Sequence, residues 1–199
     1  VLDQDSRPWL KTHQGLRVLE DDIWQILTYP ELGFQPSQLP AFIPGYQLHR
    51  TRYSHQLWVT ECDWIGPGPD GGRGVRWLDG STWMGSEPPL DEGCATALAE
   101  DESGRIWVGM DSGLWEMDPG QETWTQMPFP EPPPEYSRVG FVTELKIDPA
   151  GDPWVSAALC GGASCFSEII HLHYQDGEWY PLGELDRGVS SWFVFDQQG

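Results

Sequence analysis

The chain has 199 residues and a formal net charge of −20, from 31 Asp and Glu against 11 Lys and Arg. Phosphate binding needs clustered cations, so nucleic acid is excluded as a default partner, and adsorption to an anionic membrane surface with it. With 23 Gly and 18 Pro, coiled coils and helical bundles are excluded too, while 12 Trp supply enough buried area for a sizeable core.

Taken in chain order, four segments share a turn followed by a Trp at the head of an apolar run. They are Asp5-Ser-Arg-Pro-Trp9-Leu10, Ser54-His-Gln-Leu-Trp58-Val59, Ser103-Gly-Arg-Ile-Trp107-Val108 and Ala150-Gly-Asp-Pro-Trp154-Val155. The Trp recur at steps of 49, 49 and 47 residues. Six residues before them stand Asp3, Arg52, Asp101 and Asp148. A second anchor is a Gly-hydrophobic pair, Gly15-Leu16, Gly74-Val75 and Gly113-Leu114, with Glu168-Ile169 as the divergent fourth. A third is another Trp after a polar turn: Trp24, Trp83, Trp124 and Trp179.

Each unit reads as four short strands, a to d, bounded by Gly, Pro, Asp and Ser turn chemistry. In the third unit these are Cys94–Glu100, Arg105–Met110, Leu114–Met117 and Thr123–Met127. In the fourth they are Phe141–Ile147, Pro153–Ala157, Glu168–Tyr174 and Glu178–Pro181. No segment sustains a 3.6-residue period. A repeat of nearly 50 residues with four antiparallel strands is a β-propeller blade. The expected fold is therefore an all-β β-propeller with four visible blades, at about 1–45, 46–93, 94–140 and 141–188, and an extra innermost strand at 189–199.

The stretch from Thr96 to Trp115, with Asp101-Glu-Ser-Gly-Arg-Ile-Trp107-Val-Gly at its centre, resembles the two-component-regulator propeller repeat. Val142–Val155 resembles the first half of the same pattern, as do Val1–Leu10 and Gln14–Val18. The resemblance implies a propeller of the kind found in extracytoplasmic sensor domains and in free-standing secreted proteins. No kinase or response-regulator segment accompanies it in this sequence.

Packing between blades is the expected role of Trp9, Trp58, Trp107 and Trp154, and turn capping that of Asp3, Asp101 and Asp148. No cofactor or metal is expected. Calcium is the one ion the acidic turns would suit, and the Asp-x-Asp-x-Asp-Gly ligand run is missing. His171 and His173 share one strand face, but two imidazoles need a third ligand that the sequence does not point out.

The a–b and c–d turns are short, and the b–c and d–a loops are long: Tyr29–Gly45, Thr60–Arg73, Gly85–Gly93, Pro128–Arg138 and Ala158–Phe166. Loops on a rigid scaffold are where binding resides. Candidate ligand-binding residues are Asp63, Trp64, Asp70 and Arg73 in the second b–c loop, and Tyr136. Pro128–Tyr136 is expected to run as extended polyproline II. All four cysteines map to the long-loop face, giving two expected disulfides, Cys160–Cys165 and Cys62–Cys94. An even cysteine count in an acidic, Lys-poor chain points to an oxidising, extracytoplasmic compartment: periplasm, cell surface or secreted.

No hydrolase elbow, phosphate loop or zinc signature is present, so a non-enzyme is expected. Inner-strand acids such as Glu100 and Glu144 carry no distinguishing signal. The run Val189–Asp196, with Trp192, Phe193 and Phe195, reads as a further strand a. It would belong to a longer propeller, close a four-bladed one, or pair with another molecule. Two functions follow. One is a binding or sensor module that takes a glycan, peptide or protein on the long-loop face. The other is a subunit of a surface assembly or filament joined through Val189–Asp196. A propeller lyase or hydrolase is a weaker third.

Overall fold

The computed structural model describes residues 1–12, 14–28, 30–32, 47–62, 74–85, 94–118, 123–161 and 164–183, except the side chains of 61 and 164–167. Among these residues the backbone forms fifteen strands and no helix. Strands β1 (Trp9–Thr12), β2 (Gly15–Glu20) and β3 (Ile23–Thr28) make the first sheet. The second holds β4 (Gln47–Arg50), β5 (Leu57–Glu61), β6 (Gly74–Asp79) and β7 (Thr82–Gly85). The third holds β8 (Ala95–Glu100), β9 (Ile106–Met110), β10 (Gly113–Asp118) and β11 (Thr123–Met127). The fourth holds β12 (Arg138–Ile147), β13 (Pro153–Gly161), β14 (Ser164–Gln175) and β15 (Glu178–Pro181). All are antiparallel meanders in sequence order, so the chain is all-β and built of β-propeller blades. In the first sheet, Leu2 bridges Pro8 and the Trp9 amide donates to the Val1 carbonyl, so residues 1–2 lie where the other sheets have their first strand.

The repeated Gly at the head of each third strand has a steric cause. Gly15, Gly74 and Gly113 sit at φ 149°, 111° and 138°, where L side chains are strained. A Cβ on Gly15 would collide with the Leu27 carbonyl, and one on Gly113 would stand 2.7 Å from the Met127 carbonyl. The fourth sheet dispenses with this Gly because its central hairpin is longer.

That hairpin corrects the sequence expectation. Ala158–Phe166, read as a loop, is mostly strand: β13 runs to Gly161 and β14 starts at Ser164. Bulges between Val139 and Glu144 let β12 continue alongside, pairing Arg138 with Cys160 and Val139 with Leu159. Ala158, Leu159 and Cys160 are consequently buried. Pro128–Tyr136 does not stay extended either. It turns at 134–135, and the Tyr136 amide donates to the Pro133 carbonyl.

The chain divides into two compact units, Val1–Ala95 and Thr96–Gly199. In the first, Trp9, Leu16 and Val18 pack with Leu32, Leu57 and Val59, and Trp83 meets Trp9 edge-on at 5.8 Å. In the second, Ala97, Trp107, Leu114 and Met127 pack with the apolar face of the fourth sheet, including Leu145, Val155 and Leu172. Of the Trp expected in the core, Trp9, Trp58 and Trp107 are buried, whereas Trp154 is half-buried. Trp24 is 41% exposed.

Candidate functional site

A repeated hub side chain organises the turn end of the sheets. In the first sheet the Asp3 carboxylate accepts from the Asp5 and Arg7 amides at 2.9 Å, from the Arg7 guanidinium at 2.7 Å and from the Trp9 indole at 2.8 Å. In the third, Asp101 accepts from the Ser103 and Arg105 amides, the Ser103 hydroxyl, the Arg105 guanidinium and the Trp107 indole. Each Arg also reaches an acid on the next strand, Glu20 for Arg7 and Glu116 for Arg105. Burial alone would raise the Asp3 and Asp101 carboxyls. The hydrogen bonds and the guanidinium outweigh it and hold both below their ordinary values. The repeated Asp is thus a buried hub that joins its turn to the core Trp six residues on.

In the second sheet the hub is Thr51, not Arg52 as fixed spacing from Trp58 implies. The Thr51 amide donates to the Gln56 carbonyl, and its hydroxyl accepts from the Gln56 amide at 2.8 Å. The turn is one residue longer, which shifts the buried position back by one. Trp58 donates instead to the Gln56 side chain.

The fourth turn keeps the hub and changes its surroundings. Asp148 accepts from the Ala150 and Asp152 amides at 2.9 Å and from the Trp154 indole at 3.0 Å. The position of Arg7 and Arg105, however, is taken by Asp152. Across β13 and β14, Trp154 faces His173, stacked at 4.3 Å, where Trp107 faces Glu116. Asp148, Asp152 and His173 are the group among the described residues with the spacing to hold a metal ion. The sequence offers His173 but does not reveal its acidic neighbours, which strand register brings from the preceding hairpin.

At the loop end, Cys62 and Cys94 form a disulfide with a Cα separation of 4.2 Å, joining the end of β5 to the residue before β8. Cys160 is disulfide-bonded as well, and the side chain of its expected partner Cys165 lies outside the described residues. The connector from β11 to β12 docks on this end of the fourth sheet: Ser137 donates twice to the Cys160 carbonyl at 2.8 Å. Tyr136 and Phe129 pack on the core of the second unit, and the Trp179 indole donates to the Pro128 carbonyl. Tyr136 is therefore anchored, with its ring half-buried. Asp63, Trp64, Asp70 and Arg73 lie outside the described residues, as do Val189, Trp192, Phe193 and Phe195. Of the inner-strand acids, Glu100 is buried, and both carboxylate oxygens of Glu144 are buried with no hydrogen-bond partner.

No family model matches this sequence. No curated protein matches it either. Solved structures do. The extracellular domain of BT3049, described as a hybrid two-component system of B. thetaiotaomicron, aligns over 96% of this chain and 22% of its own, with a TM-score of 0.55 and 16% identity. The extracellular domain of BT4673 from the same organism, described as a one-component system, aligns over 96% and 21%, with a TM-score of 0.53 and 16% identity. PorZ, a surface component of the type-IX secretion system of Porphyromonas gingivalis, aligns over 86% and 26%, with a TM-score of 0.51 and 14% identity. The likeness is one of fold, and the chain spans about a fifth to a quarter of the length of each.

Proposed function

We propose that the chain is part of an extracytoplasmic β-propeller that binds a peptide, glycan or protein partner on the loop end of its sheets and does no catalysis. The carrying observation is the contrast between the two ends. At the turn end of the first and third sheets, the Asp3 and Asp101 hubs are consumed by internal hydrogen bonds, leaving little there with which to recognise an organic ligand. At the loop end, the β3–β4, β5–β6, β7–β8 and β11–β12 connections are long, and the other hairpins at that end are two-residue turns. The Cys62–Cys94 disulfide ties the end of β5 to the residue before β8, an arrangement that presents long connections on a rigid frame. The disulfide also supports an oxidising compartment. The structural neighbours are extracellular domains of regulatory systems and a bacterial surface component, which agrees with this reading.

The test is a thermal-shift screen of the chain against defined neutral and acidic oligosaccharides and unstructured peptides. Hits are repeated on Asp63→Ala, Trp64→Ala and Tyr136→Ala variants. The expected result is a ligand class that raises the melting temperature of the parent and loses its effect in at least one variant of unchanged intrinsic stability. A hit indifferent to all loop variants, or no hit on a verified fold, overturns the reading.

A further inference from the structure

We propose that Asp148, Asp152 and His173 form a binding site for a divalent metal ion of the zinc class. The argument starts from the comparison of equivalent turns. In the third sheet a carboxylate hub, Asp101, is neutralised by Arg105, which is in turn held by Glu116. In the fourth sheet both outer members are exchanged: an acid, Asp152, replaces the Arg, and His173 replaces the acid opposite the core Trp. Two carboxylates now share one corner, and among the described residues neither pairs with a Lys or Arg. Arg105 lies nearby, 3.6 Å from where a Cβ on Gly151 would stand, and is engaged with Asp101 and Glu116. Lys146, one strand away opposite Trp154, is exposed.

The second observation is the state of the imidazole. His173 Nε2 is buried and has no hydrogen-bond partner. It lies 3.9 Å from Asp148 Oδ2 and 3.9 Å from Asp152 Oδ2. That is too long for a hydrogen bond, yet the three donor atoms fall within 4.8 Å of one another. Zinc bonds of about 2.0–2.1 Å to nitrogen and oxygen place tetrahedral donors about 3.3–3.5 Å apart, so modest side-chain movement closes the set. One imidazole and two carboxylates satisfy borderline metal ions and neutralise a 2+ charge, leaving a fourth position for water or a ligand.

The surroundings already orient the ligands, as metal sites require. Stacking on Trp154 fixes the plane of the imidazole. Two amides and the Trp154 indole fix Asp148, and the Gln175 amide donates to Asp152 Oδ2 at 2.9 Å.

The experiment is a zinc titration of the tag-free chain by calorimetry, paired with Co2+ absorption in the visible as a coordination readout. One equivalent is expected to bind, with affinity at least about tenfold weaker in His173→Ala and Asp152→Ala. Asp152→Arg is the decisive variant, because it restores the arrangement seen at Arg105. It should abolish binding while preserving the melting temperature. His171→Gln, whose parent imidazole contacts Ser156, should bind as the parent does. No zinc binding by the parent overturns the proposal. So does binding that survives both Asp152→Arg and His173→Ala, and so does calcium binding that is equally strong with and without the imidazole.

Discussion

Gly109 of β9 and Val142 of β12 approach so closely that a Cβ on Gly109 would stand 2.6 Å from the Cβ of Val142. Here the third and fourth sheets meet within the second unit, and the gap between them is set by the absence of one methyl group. Gly109→Ala should destabilise the chain by about 1–3 kcal/mol through overpacking. Combining it with Val142→Gly should cost less than the sum of the two single changes, because the second removes the Cβ and both methyl groups that the new side chain would meet. Chemical denaturation of the four-member cycle checks this, and strict additivity would refute the contact.

The Asp101 hub gives a stability prediction with a pH signature. Asp101→Ala leaves the Arg105 guanidinium and Trp107 indole without their acceptor, at an expected cost of about 1–3 kcal/mol. The folded carboxyl lies below its ordinary value of 3.8, so the unfolded chain binds the proton more readily. The stabilisation is present above that value and is lost as pH falls below it. Melting temperatures of parent and Asp101→Asn should therefore converge on acidification below about pH 4. A constant difference would mean that the charge of the hub contributes nothing.

His49 works in a higher window. Burial, and secondarily Lys11, push its imidazole down to about 4 from 6.5. Folding thus excludes a proton, and this contribution is complete above pH 6.5 and lost as pH falls towards 4. His49→Gln can retain the bond to Thr60, 3.0 Å away in the parent, without titrating. Its melting temperature should fall less steeply than the parent's across this interval.

The Cys62–Cys94 disulfide closes a loop with a sequence separation of 32. Chain entropy predicts a loss of about 3–4 kcal/mol on removing it. The Cys62→Ser/Cys94→Ser double variant should melt well below the oxidised parent. Adding reductant should lower the parent further than it lowers the variant.

Much of the fold was legible because the repeat ties turn chemistry to burial. Asp101-x-x-Gly-Arg-x-Trp107 specifies a hub, a turn and a core ring at once, and the strands of the third sheet lie within a residue of their expected bounds. Thr51 was missed because counting back from Trp58 assumes a constant turn length. The long β13–β14 hairpin was missed because Gly161 and its neighbours carry loop composition, while the pairing that extends the strands comes from the distant Arg138 and Val139. The corner at Asp148 was hidden for a related reason. Asp152 and His173 are 21 residues apart in sequence, and only the register of β13 against β14 brings them together.

The way the apolar residues are shared between sheets has a bearing on how such a chain is inherited. Leu57 and Val59 complete a core begun by Trp9 and Leu16, and Val142 and Leu145 complete one begun by Ala97 and Trp107. A newly copied repeat standing alone would leave half of each such cluster in water. The smallest segment that selection can preserve is therefore a neighbouring pair, and duplications should survive where they insert beside an existing partner.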